Sequence, residues 1–208
     1  MKLKNCDKLH LGAFNFGCDG WVNTDITPHI YISRIPYLAR LLRSIKALSA
    51  ERYEEHRKGI FKRLHYMNLC KKFPFKDDSF SYVYSAHVLE HLFKDQAAGC
   101  VSEVHRVLKQ GGVFRVSVPD LDDSVNKYNS ESPDCFCASI YEAENARSKN
   151  RHHWMYNKNS MESLLRKCGF SEVKSYSYRR GTCPDLEYLE HRDEGSLFME
   201  AVKGENIS

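Results

Sequence analysis

The sequence predicts an α/β protein, a three-layer sandwich with helices on both faces of a mostly parallel sheet. Three observations lead there. Strand-like and helix-like segments alternate along the chain, the first two strands flank a glycine-punctuated loop from Gly12 to Gly20, and the second strand ends on a carboxylate, Asp25. Alternation of this kind calls for parallel strands with covering helices, and ligands of open parallel sheets sit at the strand ends.

The elements follow in chain order. Lys8 to Ile26 reads as strand, loop and strand. Only about eight residues separate Gly12 from Trp21, fewer than a parallel crossover with a full helix takes, so the first helix is a single turn or absent. Apolar residues at Leu38, Leu41, Leu42, Ile45 and Leu48 recur at helical spacing, and a more polar helix is expected from Ala50 to Ile60. Together these make residues 30–62 a helical insertion after the second strand. Arg63 to Leu69 is the third strand, Phe73 to Ser79 a turn, and the aromatic and β-branched run Phe80 to Ser85 the fourth strand. His87 opens a short helix. A longer one spans Asp95 to Lys109 with Ala97, Val101, Val104, Val107 and Leu108 on one face, and Gly111–Gly112 is expected as its C-cap. Val113 to Val118 is the fifth strand, stopped by Pro119. Residues 120–158 are read as a cover of short helices and loops over one end of the sheet. Asn159 and Glu162 have the spacing of a capping box before a helix closed by Gly169, and Val173 to Tyr178 and Leu197 to Val202 are the last strands.

Composition narrows the class. A chain of 208 residues with 42% hydrophobic and 28% charged residues is that of an ordinary globule, most simply one domain. The formal charge of +4 is mild; the basic residues gathered between Arg34 and Arg63 are read as a solvated helix face, so no nucleic-acid partner is expected. The opening residues lack the apolar core of a signal peptide and no apolar run has the length of a membrane span, which places the protein in the cytoplasm. Eight scattered cysteines then read as small buried hydrophobes, with Cys135-Phe-Cys137 a weak hint of metal.

Several stretches in this order resemble a known family. They are Leu9-His-Leu-Gly12, Gly20-Trp-Val-Asn-Thr-Asp25, Phe73-Pro-Phe-Lys-Asp-Asp-Ser-Phe80, Ser85-Ala-His-Val-Leu-Glu-His-Leu92 and the run from Glu103 to Asp120. His153-Trp-Met-Tyr156, Leu164-Leu-Arg-Lys-Cys-Gly-Phe170 and Ser196-Leu-Phe-Met-Glu-Ala-Val-Lys203 continue it. The series is similar to the small class I S-adenosylmethionine-dependent methyltransferases of the methyltransferase-11 type. The resemblance implies a seven-stranded Rossmann-like sheet with the last strand antiparallel, S-adenosylmethionine as cofactor, and methyl transfer; the absence of a nucleic-acid stripe suits a polar small molecule or carbohydrate as acceptor. The resemblance also implies that Gly12, Ala13, Phe14 and Gly17 form the loop against the methionine part and ribose, that Asp25 accepts the ribose hydroxyls, that Asn68 and Leu69 contact adenine, and that Ser85 and His87 face the sulfonium. In the family the loop usually reads Leu-Gly-Cys-Gly; here Phe14 stands at the second glycine, so a side chain is expected where room is left for the cofactor.

A sulfonium methyl is already electrophilic, so alignment does much of the work and a base is needed only for a hydroxyl or protonated amine. His87, His91, His152 and His153 are the candidate bases, with His87 preferred for its place beside the expected methyl position. Arg151 to Tyr156, with His152, His153, Trp154 and Tyr156, is the candidate substrate-side lid. Two other functions are weighed. A fold that has lost catalysis and serves as a binding or scaffold module is motivated by Phe14. A zinc hydrolase is suggested by the spelling His87-x-x-Glu90-His91, but the motif order accounts for these residues without a metal, and none is expected.

Overall fold

The structure, a computed structural model, describes residues 6–141 and 151–204. The part of the expected 120–158 cover at 142–150, and the residues before Cys6 on which the leader reading rests, lie outside them. Among the described residues seven strands form one sheet: β1 (Lys8–Leu11), β2 (Val22–Asp25), β3 (His65–Tyr66), β4 (Phe80–Ala86), β5 (Leu108–Pro119), β6 (Phe170–Tyr176) and β7 (Ser196–Lys203), in the order β3-β2-β1-β4-β5-β7-β6. The pairings from β3 across to β5 are parallel. β7 slots between β5 and β6 antiparallel to both, so six strands run one way and the last runs against them.

Helices α1 (His29–Ile32), α2 (Leu38–Ser44) and α3 (Ala50–Arg57) lie between β2 and β3. They are followed by α4 (Lys94–Val107), α5 (Leu121–Asn126), α6 (Pro133–Tyr141), α7 (Lys158–Lys167) and α8 (Leu186–Leu189). No helix among the described residues is long and apolar enough to cross a membrane. No helix interrupts Gly12 to Trp21; the chain crosses from β1 to its parallel neighbour through turns.

The core is built where the sequence pattern puts it. Ala97, Cys100, Val101, Val104 and Val107 form the buried face of α4, and Val113 to Val118 of β5 are buried without interruption, as a strand covered on both faces must be. Four boundaries differ from the sequence reading. α4 ends at Val107 because Leu108 turns at once to extended backbone and pairs with Phe80; Gly111–Gly112 do not cap the helix but lie in a bulge where the register steps from Phe80 to Tyr82, and Gly111 takes φ 72° there. Asn157, not Asn159, caps α7, its side chain accepting from the Ser160 N–H while the Ser160 hydroxyl is returned to the Asn157 N–H. The third strand is cut to two residues, since only Thr24 and Asp25 of β2 offer it partners. The sixth begins earlier, at Phe170.

His10 is buried on β1 between the rings of Trp21 and Tyr84, with Nδ1 3.3 Å from Asn23 Oδ1. Burial pushes its pKa down from 6.5 to about 4. Between pH 4 and 6.5 the ring is neutral in the folded protein and gains a proton on unfolding, so its contribution is complete above pH 6.5 and is lost as the pH falls toward 4. Denaturant unfolding followed from pH 7 to pH 4 is expected to show a loss of about 3 kcal/mol that His10→Gln lacks.

Candidate active site

The C-terminal ends of β1 to β4 open onto a cleft of about 430 Å³ lined by Gly12, Phe14, Asp25, Asn68, Leu69 and His87, among others. Gly12 has φ 65°, and a Cβ there would stand 2.4 Å from Val88 Cγ2. The glycine thus lets the β1 and β4 loops close on each other. Gly12→Ala is expected to cost about 1–2 kcal/mol for the left-handed backbone alone, with further loss from the overlap; thermal unfolding checks it.

Asp25 ends β2 half-buried. Its Oδ2 accepts from the Phe14 N–H at 3.0 Å and its Oδ1 from the Thr27 N–H at 2.7 Å. Each oxygen keeps a lone pair for a further donor, so one carboxylate both shapes the loop and faces the cleft. Phe14 takes the backbone conformation a glycine would take, at φ 39°. Its ring leans on the helical insertion, with Phe61 at 5.9 Å, His29 at 6.4 Å and the Arg52 guanidinium 4.7 Å over its face. The insertion also grips the next residue, Asn15, whose amide donates to Glu55 of α3 at 2.8 Å.

Asn68 Oδ1 accepts from the Cys70 N–H at 2.9 Å and keeps a second lone pair, so both its oxygen and its NH₂ remain for a ligand. Three other predicted cofactor residues do not line the cleft. Ala13 is packed with Ile30, Phe61 and Leu64; Gly17 lies against Asn23; Ser85 is fully buried within β4, its hydroxyl without a hydrogen-bond partner.

His87 has φ 51° and donates its N–H to Ser117 O at 2.9 Å, which aims its ring off the end of β4. Nε2 lies 3.3 Å from Ser196 Oγ and Nδ1 3.4 Å from Glu90 Oε1. A second cleft of about 340 Å³ shares Gly12, Phe14 and His87 with the first and runs on to His10, Tyr84 and Arg192. His91 lines the first cleft. In the 151–156 segment, His152 and Tyr156 turn inward and are buried, whereas the His153 ring lies tilted against Phe93 with centroids 4.2 Å apart and the Lys94 ammonium sits 4.6 Å over Trp154. The four candidate lid residues are thus split between an inner pair and an outer pair. The sequence reading passed over Val88, Met67 and Ile26, which supply apolar walls, and Arg192, whose position depends on a loop far along the chain.

This sheet order, with the last strand antiparallel and a cleft at the strand ends, is the fold of class I methyltransferases. Residues 40–116 match the methyltransferase domain family. An uncharacterised methyltransferase of Synechocystis sp. (strain PCC 6803) is 29% identical over 114 residues, covering 55% of this chain and 49% of that protein, so the chain spans about half the length of this relative. Phosphoethanolamine N-methyltransferase 2 of Haemonchus contortus, solved with S-adenosylmethionine, shares the fold at TM-score 0.53 and 15% identity over 95% of this chain and 48% of that one. A Bordetella parapertussis structure described as a possible exported protein reaches TM-score 0.54 at 10% identity, over 98% and 63% of the two chains. One stretch of the chain is thus similar to the methyltransferase domain family, and the chain shares its fold with a solved methyltransferase.

Proposed function

We propose that the protein transfers a methyl group from S-adenosylmethionine to a polar small molecule or carbohydrate in the cytoplasm. The observation that carries the reading is the cleft at the ends of β1 to β4, with the Gly12 close approach on one side and the Asp25 carboxylate on the other. These residues fit the cofactor: Gly12 leaves space at the backbone, Asp25 offers lone pairs to a diol, and Asn68 with Leu69 suits a heteroaromatic ring. Phe14 is accommodated because its ring packs on Phe61 and Arg52. When bound, S-adenosylmethionine supplies an electrophilic methyl whose carbon–sulfur bond breaks with its electron pair kept by sulfur, as the acceptor's lone pair bonds to carbon.

His87, shared by both clefts, is the base that takes the acceptor's proton, with His91 beside it as the second candidate. His152 and Tyr156 line the acceptor side from within, and His153 and Trp154 form its outer rim. Calorimetric titration with S-adenosylmethionine and S-adenosylhomocysteine tests the reading, and binding of both at micromolar concentration is expected. Absence of binding at millimolar ligand would instead support the inactive scaffold. A panel of polar and sugar acceptors, followed by release of S-adenosylhomocysteine, identifies the substrate; His87→Ala is expected to lower turnover by about 10²–10⁴ for a hydroxyl acceptor.

A further inference from the structure

The turn after β4 carries a carboxylate deep in the protein. Glu90 lies in a one-turn 3-10 helix, Leu89–His91, is 1% exposed, and has no hydrogen-bond partner at either oxygen. Burying a carboxylate in this way costs several kcal/mol unless positive charge meets it. Three imidazoles stand around it: His87 Nδ1 is 3.4 Å from its Oε1, and ligand atoms of Glu90, His91 and His152 lie within 4.8 Å of one another. The rings of His91 and His152 meet edge to face with centroids 5.0 Å apart.

Their tautomers are fixed by the backbone. Nδ1 of His91 is 3.3 Å from Arg151 O, and Nδ1 of His152 is 3.0 Å from Ile140 O. A carbonyl only accepts, so Nδ1 is the donor in both rings, and a neutral imidazole held this way turns Nε2 to a metal. Glu90 O in turn accepts from the N–H groups of His153 at 2.7 Å and Trp154 at 3.2 Å, which keeps His152 beside the carboxylate. The Tyr156 hydroxyl is also buried without a partner; burial and then the Glu90 charge push its pKa up to about 12, so it stays a neutral donor.

We propose that Glu90, His91 and His152 form a binding site for a divalent cation of borderline character, of the class of Zn²⁺, Mn²⁺ and Co²⁺. Two imidazoles and a carboxylate are the donors such ions take, and three protein ligands leave coordination positions open. His91 faces the 430 Å³ cleft, while His152 lines a cleft of about 370 Å³ with Asp123, Ser124 and Ser132 near α5 and α6. The ion lies between the two, so its open position is offered to an oxygen of the acceptor, and the acceptor class is a hydroxyl-bearing compound. That role, unlike the site, rests on the methyl-transfer reading above. The arrangement is not the peptidase helix that His87-x-x-Glu90-His91 spells. His87 leaves β4 at φ 51° and the helix has one turn, so the second imidazole comes from His152.

Chelator-treated protein is titrated with Zn²⁺, Mn²⁺ and Co²⁺ by calorimetry and, for Co²⁺, by visible absorption; S-adenosylhomocysteine is titrated in parallel. One ion per chain is expected for at least one metal with a dissociation constant of about 10 μM or tighter. Glu90→Gln and His152→Ala each weaken it at least about tenfold while leaving S-adenosylhomocysteine binding within about threefold. Circular dichroism verifies folding, and the near-isosteric Glu90→Gln decides if His152→Ala does not fold. No saturable binding of any of the three ions below millimolar concentration, or binding undiminished in Glu90→Gln, overturns the site. Metal binding that persists without S-adenosylhomocysteine binding overturns the methyl-transfer reading and leaves the site standing.

Discussion

Asp25→Ala is expected to weaken S-adenosylmethionine and S-adenosylhomocysteine binding by about 30- to 1000-fold, or about 2–4 kcal/mol. The carboxylate has two tasks. It would accept charge-assisted hydrogen bonds from a ligand diol, each worth about 1.5–3 kcal/mol. It also holds the N–H groups of Phe14 and Thr27, at 3.0 and 2.7 Å, and so fixes the loop that walls the cleft. Asp25→Asn separates the tasks, because an amide oxygen can still hold one of these N–H groups but has no charge for the diol. Calorimetry should rank the wild type above Asp25→Asn and that above Asp25→Ala. Affinity for Asp25→Ala within threefold of wild type would remove Asp25 from the site.

What could be read in the sequence is what short stretches determine. The buried face of α4 follows from apolar residues at helical spacing, and Asp25 is placed by the strand that ends on it. Asn68 lies two residues past the short third strand and lines the cleft, but its turn onto the Cys70 N–H has no signal in the pattern. Phe14 shows where local reading stops: replacing a glycine predicts obstruction, but whether the ring obstructs depends on Phe61 and Arg52, contributed by an insertion the loop pattern does not describe. Glu90 looked like part of a helical motif, and its setting changes once His152 is brought beside it from a distant segment. Helix ends were misplaced for a related reason. Gly111–Gly112 has the spelling of a cap, but the pairing of Leu108 with Phe80 claims the preceding residue for the sheet first.

Arg115 is the other residue that pattern alone misreads, and it carries the largest expected effect on stability. In the strand Val113-Phe-Arg-Val-Ser-Val it looks like the polar half of an alternation, yet its side chain is fully buried. It donates from Nε to Glu190 Oε1 at 2.8 Å and from Nη1 to Arg180 O at 2.8 Å, with Glu200 Oε1 at 3.7 Å. Glu200 also accepts from the Thr182 hydroxyl at 2.7 Å and the Cys183 N–H at 3.0 Å. These bonds fold the 177–192 loop onto the sheet, and that loop delivers Leu189, His191 and Arg192 to the second cleft. Arg115→Met leaves the buried carboxylates of Glu190 and Glu200 without their shared cation, and a loss of about 3–5 kcal/mol is expected. For a chain of this size that lowers the melting temperature by roughly 6–20 °C. Adding Glu190→Gln to Arg115→Met should recover part of the loss, since it removes one of the stranded charges. If thermal unfolding shows Arg115→Met alone within about 1 kcal/mol of wild type, the loop is held by its backbone bonds and apolar packing. The second cleft would then not depend on this ion network.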